Sequence, residues 1–182
     1  NDVYWFGQMA CSSPRLVVWH GDESSVKSAQ RSFWSSLSAL VGQRATGLMP
    51  VDYVDKMVAG HLAALRLPAV VLQNGGQNDI CRVGVDRNHV KQLIDADLHC
   101  GGGLFYETSI EALDDLLPIL DRRIQTVSYA GYDDAAELRY FVSSRPLNGI
   151  DRIVPFGQAL EFSALWDGFD LFRVFLRQVT VT

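Results

Sequence analysis

Short apolar runs alternate along this chain with stretches in which apolar residues recur every third or fourth position, the two signatures of buried strands and of helices with one buried face. Arg15-Leu-Val-Val-Trp19 reads as a strand between Pro14 and His20-Gly21. Asp22 then supplies a helix cap. Val26, Ala29, Phe33, Leu37, Leu40 and Val41 follow on one helical face, and Gly42 and Gly47 mark its end. A second helix is predicted over 52–65, with Val54, Val58, Leu62 and Leu65 on one side and Pro68 closing it. Strands are predicted at 69–73 and 81–85, either side of a polar turn over 74–78. A short helix fits 88–95, and a strand over 104–108 follows three glycines.

Ile110, Leu113, Leu116 and Leu117 suggest a short helix ended by Pro118. Ile124-Gln-Thr-Val-Ser-Tyr129 has the clearest strand pattern. Asp133 is placed to cap a helix running to Ser143, with Ala135, Leu138, Phe141 and Val142 inward. A strand over 153–156, a helix over 171–177 and a final strand over 179–182 complete the pattern. Such alternation predicts crossover units: an α/β fold with a mostly parallel sheet covered by helices on both faces. No repeat or linker interrupts it, so residues 1–182 are expected to form a single domain.

Composition narrows the function classes. The chain has 182 residues, of which 48% are hydrophobic and 20% charged, a globular balance. No apolar run is long enough for a transmembrane segment. The net charge of −5 argues against nonspecific binding to nucleic acid or to anionic membrane. Three cysteines, Cys11, Cys81 and Cys100, form no CxxC pair, which favours a reducing, cytoplasmic setting. The chain begins with Asn1, and no signal-peptide pattern precedes its first strand, so it is expected to be part of a longer protein.

Cys11 stands out among the residues that carry chemistry. An apolar, aromatic segment leads into small residues, then Ser12, Ser13 and Pro14, which place it at a tight turn between a helix and a strand. Backbone N–H groups at such a corner favour a thiolate and, later, an oxyanion. The competing expectation is a small, inert core residue, and sequence context alone leaves the two about even. Cys81, His99 and Cys100 lack metal-ligand spacing, so no metal is expected. His20, His61 and His89 suit surface or capping positions. Gly101-Gly-Gly103 precedes a strand rather than a helix, which is not a dinucleotide fingerprint. The pairs Asp114-Asp115 and Asp133-Asp134 read as capping or solvated carboxylates.

Gln8-Met-Ala-Cys-Ser-Ser-Pro-Arg15 resembles the nucleophile segment of the long-chain fatty acyl-CoA reductases of the LuxC type, a branch of the aldehyde dehydrogenase superfamily. Gly103-Leu-Phe-Tyr-Glu-Thr108 is similar to the Gly–aromatic–Tyr–Glu–Pro–Thr strand of the wider superfamily, with Ser109 after Thr108 and no proline. Gly149-Ile-Asp-Arg-Ile-Val-Pro-Phe-Gly157 and Trp166-Asp-Gly-Phe-Asp170 resemble the family's C-terminal signature.

The resemblance implies an aldehyde-dehydrogenase-like catalytic domain, with its cofactor-binding domain upstream. It implies that Cys11 attacks a fatty acyl-CoA, and that a nicotinamide cofactor, NADPH or NADH, reduces the acyl-enzyme to an aldehyde. Tyr4, Trp5, Phe6 and Ser12 would bind substrate, and the isolated chain would not complete the reduction. It further implies a homodimer contact through Val179, Thr180 and Val181. A cofactor-independent acyl transferase or thioesterase using Cys11, and a non-enzymatic interaction module, remain alternatives.

Overall fold

The computed structural model describes residues 2–44, 46–67, 71–74 and 78–181, with 71–74 described in their backbone course alone. The chain divides into two compact units, Asn1–Ile119 and Leu120–Thr182. The first is a mixed α/β unit with a mostly parallel four-stranded sheet flanked by helices. Its strands are β1 (Leu16–His20), β2 (Val71–Asn74), β3 (Cys81–Gly84) and β4 (Leu104–Ile110), in the spatial order β1-β4-β3-β2. β4 pairs in parallel with both β1 and β3, and β2 closes the edge antiparallel to β3. Leu16 lies opposite Tyr106, and Cys81 opposite Leu104. β4 is buried on both faces, as a central parallel strand requires, although Glu107 and Thr108 are among its buried residues.

Three helices belong to this unit: α1 (Glu23–Gln43), α2 (Pro50–Arg66) and α3 (Val90–Ala96). The Asp22 carboxylate accepts from the N–H groups of Ser24 and Ser25, the expected cap. α1 runs through Gly42 instead of stopping there. Its inner face carries Val26, Trp34 and Val41, which join Trp19, Ile80 and Phe105 in the core. The rings of Trp34 and Phe105 meet edge to face at 5.2 Å. Leu40, expected inside, is exposed.

α2 turns the other way from the expectation. Its bulky stripe, Val54, Val58 and Leu65, faces solvent, with Leu65 83% exposed. The buried side carries Ala59, Gly60 and Ala63, together with Lys56. Small side chains let the helix approach closely, and Lys56 satisfies its ammonium by donating to the Asn78 carbonyl at 2.6 Å. Of the strand expected at 69–73, residues 71–73 are observed in β2, which continues to Asn74; Pro68, Ala69, Val70 and residues 75–77 of the turn lie outside the described residues. The helix expected from Ile110 is corrected too. Ile110 is the buried last residue of β4, and only a single 3-10 turn, Leu113–Leu116, follows. Asp115 caps that turn by accepting from the Glu111 and Ala112 N–H groups.

The second unit contains β5 (Thr126–Tyr129), α4 (Ala136–Ser144) and β6 (Arg152–Pro155), a crossover unit with β5 and β6 parallel. Asp134, rather than Asp133, accepts from the Ala136 N–H at the start of α4. A short hairpin, β7 (Leu165–Trp166) and β8 (Phe169–Asp170), was not expected. Its turn is Asp167-Gly168, with both residues at positive φ, the Asp-Gly pattern that suits a two-residue hairpin. Asp170 caps α5 (Leu171–Phe175), which ends short of the expected Arg177. Val179 to Val181 are exposed and form no strand, so the terminal strand is absent among the described residues.

Candidate cysteine site

The segment before β1 is not helical in the ordinary sense. Trp5–Gln8 forms a kinked 3-10 stretch with Phe6, Gly7 and Gln8 all at positive φ. A tight turn follows, closed by the Ser13 N–H donating to the Ala10 carbonyl at 3.0 Å, and Cys11 sits on it, exposed. This is the predicted corner, although a contorted turn stands where a helix was expected. Among the described residues, the N–H groups of Cys11 and Ser12 have no acceptor. Ser12 and Ser13 are buried, and their hydroxyls have no hydrogen-bond partner among the described residues.

Gln8 holds this turn in place, a role that the sequence pattern does not announce. It is fully buried. Its Nε2 donates to the carbonyls of Pro14 (2.8 Å) and Leu104 (2.9 Å), and its Oε1 accepts from the Gly103 N–H at 2.8 Å. The bond to Pro14 closes the cysteine turn on itself, and the two to Leu104 and Gly103 tie it to the start of β4. The Gly102 N–H adds a bond to the Gly7 carbonyl at 2.8 Å. Gly101 to Gly103 therefore serve close packing. A Cβ on Gly103 would stand 2.0 Å from the Asp79 carbonyl oxygen, and one on Gly101 would stand 2.5 Å from that of Gly7. The run is filled by the protein's own backbone and does not fit the phosphates of a dinucleotide.

The other predicted substrate residues separate. Tyr4 packs against the core and donates its hydroxyl to the Asp79 carbonyl at 2.9 Å. Burial raises its pKa further above the ordinary phenol value. Ser12 is inside. Trp5 and Phe6 stand at the surface, 62% and 73% exposed. No group of three or more metal-ligating side chains occurs among the described residues.

The remaining thiols are half-buried, whereas Cys11 is exposed. Burial pushes the Cys100 thiol up to about 11, with Asp55 adding to the effect, and burial also raises Cys81. At pH 8 iodoacetamide is therefore expected to label Cys11 first, with Cys81 and Cys100 lagging at least tenfold in peptide mapping, on the order of what a raised pKa and partial burial imply. Preferential modification of Cys81 or Cys100 would contradict this.

His99, which leads into the glycine run, carries a pH dependence. Burial, followed by the nearby charge of Arg15, lowers its pKa from 6.5 to about 4. Its Nδ1 accepts from the Gly101 N–H at 3.3 Å, which only an unprotonated nitrogen can do. The folded pKa lies below the unfolded one, so this contribution is complete above pH 6.5 and is lost as pH falls through 4. Urea unfolding of His99→Asn should show a shallower loss of stability over that window than the parent chain. Equal slopes would exclude the contribution.

No family model matches the chain, and no curated protein matches it significantly.

Proposed function

We propose that this chain carries the nucleophile of an acyl-CoA reductase of the aldehyde dehydrogenase superfamily, with Cys11 forming the acyl-enzyme. The observation that carries this reading is the Cys11 turn: an exposed thiol beside two backbone N–H groups without acceptors, clamped by the buried amide of Gln8. In the step assigned to this turn, the Cys11 thiolate adds to the thioester carbonyl. The N–H groups of Cys11 and Ser12 hold the oxyanion. Collapse breaks the bond to sulfur of coenzyme A, which leaves as its thiolate, and the acyl group remains on Cys11.

The contact within the second unit between the two segments that resemble the family's C-terminal signature adds support. Arg152 stacks over the Trp166 ring at 5.0 Å. It also donates to the carbonyls of Gln158, Ala159 and Glu161. A complete reductase also needs NADPH or NADH. The glycine run offers that cofactor no phosphate cradle, so its binding is assigned to another domain of the protein.

The decisive experiment incubates the chain with a radiolabelled long-chain acyl-CoA and analyses the protein by mass spectrometry. An acyl adduct at Cys11, removed by neutral hydroxylamine and absent from Cys11→Ser, is expected, without aldehyde release. Acylation elsewhere, or none, would refute the assignment. Steady release of free fatty acid would instead favour a thioesterase.

The homodimer contact through Val179, Thr180 and Val181 is part of the same proposal. These residues are exposed and lack a strand partner within the described chain, which leaves their backbone groups open to pairing with a second copy. Sedimentation over a concentration range should show a dimer that is weakened when residues 179–182 are deleted. A dimer of unchanged strength would remove the segment from the interface.

A further inference from the structure

α1 presents Lys27, Gln30, Arg31 and Trp34 at i, i+3, i+4 and i+7, one stripe along the helix. With Arg82 of β3 they line a cleft of about 510 Å³. That volume suits a small organic molecule rather than an ion alone. Three of the five lining residues are cationic, on a chain whose net charge is −5.

The deepest cation is fixed. Arg82 donates through Nε (3.0 Å) and Nη2 (2.6 Å) to Oε1 of Glu107. Its guanidinium also lies over the Trp34 ring at 4.6 Å. Glu107 occupies one edge of this planar fork, and Nη1 has no partner among the described residues. Nearer the surface, Arg31 and Gln30 likewise have none. Lys27 reaches only Glu23, one turn earlier, in a pair exposed on both sides. Such a pair holds its lysine weakly. Against Glu23 and Glu107, the three cations leave the cleft with a local excess of one positive charge. A rigid guanidinium at the base and two adjustable cations at the rim match the several oxygens of a phosphate group.

We propose that this cleft binds a phosphorylated small molecule of nucleotide size. Arg82 and Arg31 engage the phosphate, Lys27 closes over it, and Gln30 hydrogen-bonds the organic part. The site uses neither Cys11 nor any residue of its turn, so it stands whether or not the acyl-enzyme reading holds.

Isothermal titration of the 182-residue chain with pyrophosphate and with ADP tests the assignment. Both should bind saturably, and ADP about fivefold or more tightly, because it fills volume that pyrophosphate leaves empty. Arg31→Glu and Lys27→Glu should each weaken ADP about tenfold or more, since each reverses a charge at the phosphate. Both positions are exposed, so circular dichroism should be unchanged. Lys91→Glu, on α3, makes the same change in net charge and should shift ADP affinity less than twofold, on the order of a screened distant charge. Absence of saturable binding to either probe at millimolar concentration would overturn the proposal. So would charge reversals at Arg31 and Lys27 no more harmful than the one at Lys91. ADP no tighter than pyrophosphate would overturn the organic-ligand assignment.

Discussion

Replacing Glu107 with alanine should lower the unfolding free energy by about 3–5 kcal/mol, the cost of removing one partner from a buried ion pair. Glu107 is only 3% exposed, yet no charge in the first unit is better provided with donors. Oε1 takes two bonds from Arg82. Oε2 takes one from Trp19 Nε1 at 2.9 Å and one from Trp34 Nε1 at 3.1 Å. The substitution would leave a guanidinium and two indole N–H groups in an aromatic core without their acceptor. It also opens a void beside Phe105, which shares the same face of β4. Urea unfolding followed by tryptophan fluorescence reads the effect directly, because two of the donors are the chromophores. A loss below about 1 kcal/mol would mean that solvent or a rearranged core replaces the carboxylate, and that the network does not hold the sheet to α1.

Gly103→Ala should cost about 2–5 kcal/mol, combining a left-handed backbone penalty with overpacking. Gly103 has φ +85°, and the added Cβ would meet the Asp79 carbonyl oxygen at 2.0 Å. The obstacle is backbone, so no side chain can swing aside. The strand start must move, and the bond from its N–H to Gln8 stretches with it. The variant should therefore both unfold at lower urea and show altered iodoacetamide reactivity at Cys11, although the two residues are 92 positions apart in the sequence. A stable protein with unchanged Cys11 kinetics would sever the proposed mechanical link between β4 and the turn.

Strand segments were largely legible because continuous burial leaves a local mark. β1, β3, β4, β5 and β6 all fall on runs that the pattern identifies. Their spatial order was not legible, because nothing local says that β1 lies beside β4 and not β2. The faces of α2 show a limit of periodicity. Val54, Val58 and Leu65 form the more hydrophobic stripe, but the side with Ala59, Gly60 and Ala63 packs more closely, and the contact goes to the smoother surface. The Asp167-Gly168 hairpin was readable in principle, since Asp-Gly between apolar residues is a strong turn signal.

At the candidate site, the tight turn at Cys11 was legible from its small residues and Pro14, whereas the exposure of the thiol was left even with burial and came from the structure. Gln8 was not, because a lone glutamine has no period. Its function exists only once Leu104 and Gly103 arrive from the far end of the unit. Glu107 offered one clue: a carboxylate inside a buried strand demands buried donors.

The Gln8 clamp also has a kinetic consequence. Its bonds to Gly103 and Leu104 span 95 and 96 residues, and β1 reaches its parallel partner across a similar distance. Closing loops of that length is entropically costly and earns no local reward along the way. The helices can form early, but the cysteine turn acquires its shape only when the central strand docks. Native reactivity at Cys11 should thus emerge with the slowest refolding phase of this unit, making the thiol a clock for the last long-range contact to close.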